Sequence, residues 1–345
     1  MAEQGKKLKV GDWVEVRTKV EILATLDGKG EVDGMPFMPE MFAYCGRRFQ
    51  VYKRAHKTCD TVFPVRGRRV HRTVHLDTRC DGKGHGGCQA GCLIFWKEAW
   101  LRPVDGGPNS QLRSEKQSNP VAEVSRKLTE ADVRELAQSR EPASDVPVYS
   151  CQATRLPYAS TNLKWWDVRQ YIEDYLSGNV GIRRLIAGLV YSTYYNLSQS
   201  RIGPERLMQR LYNLLCPIWG GPRWPRTRGT IEGGGQTPTA SLNLQPGELV
   251  RVKSHSEILA SVSTENKNRG MYWDAEMAPY CGKTYRVLAR VTSIIDEKTG
   301  KMLEMKNPCI ILDTVVCQSK YSSCRMFCPR SIYPYWREIW LERVN

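Results

Sequence analysis

Short runs of apolar residues, interrupted by glycine and acidic side chains, predict β-strands near both ends of the chain. The segments 11–16 and 247–252 each open with glycine and an acidic residue and continue with valine at alternate positions, a pattern typical of the first strand of a small barrel. The segments Glu21–Leu26 and Glu257–Val262 contain good helix formers, which predicts a short helical turn after each strand. Further along, Asp296–Gly300 has the composition of a hairpin turn between two longer strands.

Apolar positions between residues 163 and 216 recur every three or four residues instead, which predicts three amphipathic helices. Stripes with this spacing usually pack into a core, and we favour that interpretation. Because Arg183 and Arg184 flank one stripe, a helix that lies on a membrane surface is the alternative. The stripe of the second helix consists of Ile182, Leu185, Ile186, Leu189, Val190, Tyr194 and Leu197.

The two ends of the chain repeat each other. Residues 11–54 match residues 247–290 without a gap, and 16 of the 44 positions are identical. Each copy then continues to three clustered cysteines and ends in Trp-(Lys/Arg)-Glu-x-Trp-Leu, at 96–101 and 336–341. A self-match at this distance indicates two domains of one type.

We therefore predict an α+β fold with two tandem small β-barrel repeats, SH3-like in size, each with a cysteine-cluster metal site. A three-helix module and linkers separate the repeats, because the flanking segments are rich in Ser, Pro and Gly. One short helix, which begins at Thr129, interrupts the first linker. The predicted boundaries are 1–104 for repeat 1, 105–149 for the first linker, 150–219 for the helical module, 220–245 for the second linker and 246–345 for repeat 2.

Composition and net charge indicate what kind of protein this is and what kind of partner it binds. Hydrophobic residues make up 41% and charged residues 25% of the chain, as in soluble globular proteins. The first residues lack the apolar run of an export signal and no stretch is apolar enough to span a bilayer, so we expect a cytoplasmic protein with no membrane span. The net charge of +15 favours nucleic acid or another polyanion as a partner. Since the basic residues are spread out, a solvated basic surface is the alternative.

The 12 cysteines indicate metal sites, because clustered thiols in a reducing compartment are more often ligands than disulfides. Three cysteines per copy recur with gaps of seven and three residues in repeat 1 and six and three in repeat 2. Cys59 and Cys309 are the expected fourth ligands, and His85 is the alternative fourth ligand in repeat 1. The predicted ligand sets are Cys59, Cys80, Cys88 and Cys92 in repeat 1, and Cys309, Cys317, Cys324 and Cys328 in repeat 2.

Zinc is the expected metal, with one ion in each repeat and so two per chain, because the three-residue gap suits it. An iron–sulfur cluster is the alternative, since four cysteines also hold such clusters. Cys45 and Cys281 precede glycine in both copies and are expected to be small buried residues. Cys151 and Cys216 lie outside the repeats and have no predicted role.

The repeated endings contain a glutamate between two tryptophans. On a strand, these three side chains would share one face and form a ligand-binding surface for a sugar or a base. The alternative is a core edge in which the glutamate pairs with the repeated Arg54 or Arg290. A second repeated glutamate, Glu40 or Glu276, has no predicted role. The candidate ligand-binding residues are Trp96, Glu98 and Trp100 in repeat 1, and Trp336, Glu338 and Trp340 in repeat 2.

Signals for catalysis are few. The chain contains no phosphate-binding loop, dinucleotide fingerprint, nucleophile elbow or HExxH motif. Four of the five histidines lie in repeat 1, where His75 and Asp60 are the candidate catalytic residues. We therefore expect a non-catalytic zinc-binding interaction or scaffold protein whose partner is a polyanion or another protein. The alternatives are a metalloenzyme with its active site in repeat 1 and an iron–sulfur redox or sensor protein.

Overall fold

The computed structural model combines helices with several antiparallel sheets, one of them a half-barrel. The structure describes residues 7–62, 66–105, 107, 128–140, 145–198, 205–216, 223–232 and 234–344. The chain forms two compact units. Unit 1 comprises Met1–Val180 and Ile295–Leu303, and unit 2 comprises Gly181–Ile294 and Glu304–Asn345.

Unit 1 is built mainly from short strands. These are β1 (Trp13–Val16), β2 (Glu31–Val32), β3 (Met35–Pro36), β4 (Arg48–Arg54), β5 (Lys57–Cys59), β6 (Gly67–Val70), β7 (Thr73–Leu76), β8 (Trp96–Lys97), β9 (Leu101–Pro103), β10 (Gln138–Arg140), β11 (Pro147–Tyr149) and β12 (Ser160–Leu163). Its α-helices are α1 (Lys19–Leu23), α2 (Glu130–Leu136), α3 (Gln152–Arg155) and α4 (Arg169–Leu176). The largest sheet has the order β8-β7-β4-β1-β9, and a smaller one has the order β12-β6-β5.

The first strand and helix of unit 1 form where the sequence predicts them. In β1, Val14 and Val16 are fully buried on one face while the residues between them are not, as the alternation requires. Helix α1 begins after Thr18, whose side chain accepts a hydrogen bond from the N–H of Glu21 in a capping box. Its Ile22 is also fully buried. Val14, Val16 and Ile22 all belong to the core of unit 1.

The helix predicted at Thr129 is also confirmed. Thr129 caps α2, and Asp132 completes the capping box. Most of the rest of the predicted linker, residues 108–127 and 141–144, lies outside the described residues. The second predicted linker is described in part, and its Trp224 and Leu244 are buried.

Unit 2 contains two long helices and a second main sheet. Its α-helices are α5 (Ile182–Ser198), α6 (Glu205–Leu215) and α7 (His255–Leu259). The strands are β13 (Leu249–Val252), β14 (Lys267–Asn268), β15 (Met271–Tyr272), β16 (Thr284–Ile295), β17 (Met302–Leu312) and β18 (Leu341–Arg343). The main sheet has the order β17-β16-β13-β18. The predicted hairpin turn Asp296–Gly300 joins β16 to β17 and belongs to unit 1, where the N–H of Tyr149 donates to the C=O of Gly300 at 2.8 Å.

Helices α4, α5 and α6 confirm the three predicted helices, and the boundary between the two units falls between Val180 and Gly181. The expectation that the stripe of α5 is core is wrong: Ile186 is 56% and Val190 63% exposed. The buried face carries Gly188 and Tyr191 instead, and the ring of Tyr191 packs 5.1 Å from that of Tyr321. None of the described helices is both long and apolar enough to cross a membrane.

Candidate metal centre

The cysteine-rich loop of unit 1 runs from Cys80 to Cys92 and is closed by its own backbone. The N–H of Cys80 donates to the C=O of Cys92 at 2.9 Å. Within the loop, the N–H groups of His85 and Gly87 donate to the C=O of Gly82 at 2.9 and 3.0 Å. These bonds hold His85 inside a compact turn and within reach of Cys80.

Glu40 anchors this loop from a neighbouring 3-10 helix, Pro39–Tyr44. Its Oε1 accepts hydrogen bonds from the N–H of Gly84 at 2.9 Å and from Nδ1 of His85 at 2.7 Å. Glycine is required at position 84 because a Cβ there would lie 2.8 Å from Cβ of Pro39. The close approach of helix and loop brings a carboxylate next to the cysteine.

Glu40, Cys80 and His85 together form a group of metal-ligand size. One oxygen of Glu40, Sγ of Cys80 and one ring nitrogen of His85 all lie within 4.8 Å of one another. The side chains of His85 and Glu40 are 1% and 4% exposed. The second oxygen of Glu40, Oε2, is buried and has no hydrogen-bond partner in the described part of the chain. A buried acceptor without a donor is a position that a cation would satisfy.

The charges at this site depend on one another. Burial and the negative charge of Glu40 raise the pKa of the Cys80 thiol. Burial alone would also raise the pKa of Glu40, but the hydrogen bond and positive charge of His85 outweigh it and the pKa is lowered. Both ring nitrogens of His85 face acceptors, since Nε2 lies 3.3 Å from the C=O of Ser150. A divalent cation would stabilise the thiolate and carboxylate, and its binding would release a proton from Cys80.

The predicted ligands of repeat 1 are only partly brought together. Cys80 and His85 meet, whereas Cys59, Cys88 and Cys92 belong to no group of three ligands among the residues that the structure describes. Cys59 lies at the end of β5 and is buried. The sulfur of Cys88 accepts the N–H of Ile295 at 3.4 Å. Glu40 is the candidate ligand that sequence reasoning missed, and its repetition as Glu276 was the available signal.

The predicted ligands of repeat 2 are not gathered into such a group in the described part of unit 2. Sγ of Cys309 accepts a hydrogen bond from Nη1 of Arg337 at 3.4 Å. Sγ of Cys317 lies 3.6 Å from Oγ of Ser319, and Sγ of Cys324 lies 3.9 Å from Oγ of the preceding serine. The fourth of these cysteines, Cys328, is buried.

Glu276 in unit 2 holds its cysteine loop without a histidine. Its carboxylate accepts the N–H of Lys320 at 3.0 Å, the N–H of Tyr321 at 2.6 Å and the hydroxyl of Ser322 at 3.1 Å. Burial raises the pKa of Glu276 despite these donors. The repeated glutamate therefore has one shared task, which is to anchor the cysteine loop. Among the described residues, it meets a histidine and a thiol in unit 1 alone.

The tryptophans predicted to bind a ligand lie in the cores. Trp96, Trp100, Trp336 and Trp340 are each 0% exposed. The strand β8 ends at Lys97 and a 3-10 helix covers Glu98–Trp100, so the three side chains do not share one strand face. Glu98 pairs with Arg54 at 2.9 Å, and Glu338 pairs with Arg290 at 2.7 Å. This is the arrangement of the alternative interpretation, a core edge with a repeated ion pair.

The two candidate catalytic residues have other partners. Nδ1 of His75 lies 2.8 Å from the C=O of Ile94, and its ring packs 4.5 Å from that of Phe95. Asp60 pairs with Arg68 at 3.2 Å. Both side chains are buried. Contacts of this kind are structural, because they link strands to neighbouring loops.

The remaining cysteines are half-buried or buried. Burial raises the pKa of Cys45 to about 11 and that of Cys281 to about 12. Both follow a 3-10 helix and pack against the core of their own unit. Burial also raises the pKa of Cys151, and Cys216 is 4% exposed. The raised pKa values of Cys45, Cys151 and Cys281 disfavour their thiolates, which are the nucleophilic form.

A comparison with protein-family models found no match, and a comparison with curated proteins found none either.

Proposed function

We propose that the chain is a cytoplasmic zinc-binding interaction protein whose metal centre consists of Glu40, Cys80 and His85. The observation that carries this proposal is the approach of their ligand atoms to within 4.8 Å of one another. Thiolate, imidazole and carboxylate are the usual protein ligands of zinc. The unpartnered Oε2 of Glu40 supports the proposal, because it supplies a lone pair that no donor uses.

A second zinc in repeat 2 is the other part of the proposal. Its expected ligands are Cys309, Cys317, Cys324 and Cys328, so a change in the loop that contains the last three would have to accompany binding. Coupling between metal binding and local folding is common in cysteine-rich sites. The alternative cofactor, an iron–sulfur cluster, would need four sulfurs in either repeat. A brown protein with absorption near 400 nm would favour the cluster over zinc.

We further propose that the two main sheets are copies of one SH3-like domain. Strand pairing supports this: Val14 lies opposite Phe49 in unit 1, and the aligned Val250 lies opposite Tyr285 in unit 2. The pairing at the other edge also matches, since Val16 faces Leu101 and Val252 faces Leu341. A shared register is expected of duplicated domains because it fixes which side chains are core.

Repeated side-chain contacts support the same proposal. Tyr44 donates its hydroxyl proton to the C=O before Cys80, and Tyr280 does the same before Cys317. The aligned helices α1 and α7 both begin with a capping box. The metal centre would then be an addition to a shared framework.

The partner that we propose is a polyanion such as nucleic acid. The net charge of +15 supports it, since a cationic surface attracts phosphate groups at long range. Affinity for a single-stranded oligonucleotide, measured by fluorescence anisotropy, should fall steeply as salt is added. Absence of binding at low salt would remove this partner and leave a protein partner.

Catalysis by the metal is the second candidate function. It is favoured by the three protein ligands in repeat 1, because catalytic zinc sites keep a fourth position for water or substrate. The chemistry would then lie at Cys80 rather than at His75 and Asp60. In this candidate the protein groups only hold the ion, which would supply an activated water when bound.

X-ray absorption at the zinc edge tests the proposed centre. Zinc-loaded protein with unit 2 ligands removed by Cys317→Ser and Cys324→Ser should show one sulfur at about 2.3 Å and nitrogen or oxygen neighbours at about 2.0–2.2 Å. A shell of four sulfurs would contradict the centre at Glu40 and support the predicted cysteine set in its place.

A further inference from the structure

A small polar pocket in unit 2 is lined by arginines from three separate segments. The pocket has a volume of about 160 Å³. Arg269 lies just before β15, Arg290 lies on β16 and Arg337 precedes the final 3-10 helix. Glu338 is its one carboxylate. Because like charges repel at this range, such a cluster normally has anions among its partners.

Arg337 is buried without a carboxylate. Its Nη1 donates to the C=O of Asn307 at 2.5 Å and to Sγ of Cys309 at 3.4 Å, and its Nη2 donates to the C=O of Arg269 at 3.0 Å. These acceptors are neutral, and Nε has no partner among the described residues. Only 9% of Arg337 is exposed. A buried guanidinium normally has a counter-ion, since burial of an unpaired charge is costly.

The single carboxylate of the pocket is already used. Glu338 pairs with Arg290 at 2.7 Å and accepts the N–H groups of Leu242 and Leu244, each at 2.9 Å. It therefore neutralises Arg290 and completes a backbone turn. The charges of Arg269 and Arg337 are left without a carboxylate partner in the described part of unit 2.

The aligned positions of unit 1 are neutralised within the protein. Arg269 aligns with Asp33, and Arg337 aligns with Lys97 in the repeated Trp-(Lys/Arg)-Glu motif. Nζ of Lys97 lies 2.6 Å from the carboxylate of Asp33. In unit 2, Arg269 takes the position of Asp33, so the acidic residue of the pair is replaced by a second basic one. The aligned positions thus hold an ion pair in unit 1 and, as far as the described residues show, two arginines without a carboxylate partner in unit 2.

We propose that this pocket binds a tetrahedral oxyanion, namely a phosphate group. Guanidinium groups suit phosphate because each can donate two parallel hydrogen bonds to its oxygens. The anion takes the place that Asp33 has in unit 1 and neutralises Arg269 and Arg337. This inference extends the polyanion part of the proposed function. The identity of the larger molecule that carries the phosphate rests on that proposed function. It does not involve the centre at Glu40, Cys80 and His85, but Arg337 contacts Cys309, an expected ligand of the second zinc.

Arg269→Asp tests the pocket directly, because it installs the residue of the other copy. The new carboxylate should pair with Arg337 as Asp33 pairs with Lys97, so the fold and Tm should be retained. Calorimetric titration with inorganic phosphate should show binding to the wild type and at least about tenfold weaker binding to the variant. The matched control is Arg286→Asp, an exposed arginine of β16 that does not line the pocket, which should bind phosphate like the wild type. Equal phosphate affinity of wild type and Arg269→Asp, or no binding by the wild type, would overturn the proposal.

A second titration separates the sources of the phosphate. A 5′-phosphorylated oligonucleotide and its unphosphorylated form are compared on the wild type and on Arg269→Asp. If the pocket takes a terminal phosphate, only the phosphorylated form loses affinity in the variant. If it takes a backbone phosphate, both forms lose affinity. Oligonucleotide binding that Arg269→Asp leaves unchanged would contradict the pocket while the proposed function stands. Phosphate binding without any oligonucleotide binding supports the pocket and contradicts the polyanion partner.

Discussion

Nδ1 of His85 lies 2.7 Å from Oε1 of Glu40, and both side chains are almost fully buried beside the thiol of Cys80. The hydrogen bond orients the imidazole and lowers the pKa of the carboxyl against the effect of burial. Among the residues that the structure describes, the aligned Glu276 of unit 2 accepts hydrogen bonds from two backbone N–H groups and a serine hydroxyl. A metal at the first position and a purely structural anchor at the second would explain this difference.

Metal removal should lower the stability of the protein. Zinc bound at Glu40, Cys80 and His85 would stabilise the folded state, by about 2.7 kcal/mol when free zinc is at 100 times its Kd. Thermal unfolding with and without a chelator should show a lower Tm after metal removal. A chelator should have less effect on Cys80→Ser, and Cys45→Ser is the control in which a thiol outside the centre is lost. Equal chelator effects on both variants would place the stabilising metal elsewhere.

Gly86→Ala should destabilise the loop that carries His85. A Cβ at this position would lie 2.2 Å from the hydroxyl oxygen of Tyr149, and overpacking of this kind costs about 1–3 kcal/mol. The positive φ of +62° adds strain. Gly87→Ala is the matched control, since its φ is +77° but nothing lies within 4 Å of the new Cβ. Chemical denaturation should show a larger loss of unfolding free energy for Gly86→Ala, and equal losses would refute the close contact.

Gly188→Ala should destabilise unit 2 although alanine is the better helix former. Propensity alone would stabilise α5 by about 1 kcal/mol. The new Cβ would lie 2.3 Å from the ring of Phe327 and 2.6 Å from Cε of Met326, both buried. We expect a net loss in the free energy of unfolding, measured by urea titration. A gain of about 1 kcal/mol, as helix propensity alone predicts, would show that α5 does not pack closely on the loop that contains Met326 and Phe327.

Two buried glutamates of unit 2 should respond to pH in opposite directions. Burial raises the pKa of Glu276 from its usual 4.5, so its contribution to stability is present below the unfolded pKa and is lost as pH rises through the folded value. Glu276→Gln does not ionise and avoids this loss. The Tm of Glu276→Gln relative to the wild type should therefore improve as the pH rises above the usual carboxyl pKa of 4.5.

Glu338→Gln is the matched comparison. Burial opposes ionisation of Glu338, but the N–H groups of Leu244 and Leu242 and the charge of Arg290 lower its pKa overall. Its contribution is present above the unfolded pKa and is lost as pH falls through the lowered folded value. The Tm deficit of Glu338→Gln should be largest near neutral pH and shrink in acid. The same pH trend in both variants would contradict the assigned directions.

Local signals in the sequence predict many individual elements. The capping box at Thr129 predicts α2, and the turn at Asp296–Gly300 predicts the hairpin of β16 and β17, because each depends on residues close in the chain. The repeated pair of Arg54 and Glu98 is also present. Such features need no knowledge of distant packing.

Contacts between distant segments explain what the sequence does not predict. The need for a fourth ligand predicts Cys59 beside Cys80, but Cys59 ends β5 while the loop is anchored by Glu40 from 44 residues away. The stripe of α5 predicts a buried aliphatic face, yet Gly188 permits a closer approach on the opposite side. Both outcomes depend on how side chains of different volume pack together. The spacing of apolar residues along the sequence does not reveal this packing.

Metal content of the purified chain tests the central claim most directly. The protein is purified without chelator under reducing conditions, and zinc per chain is measured by mass spectrometry of the elements. The account predicts bound zinc in the wild type and in Cys45→Ser, and a loss of about one ion per chain in Cys80→Ser and in His85→Ala. Zinc content that neither Cys80→Ser nor His85→Ala reduces, or a folded wild type that binds no zinc, would contradict the proposed centre.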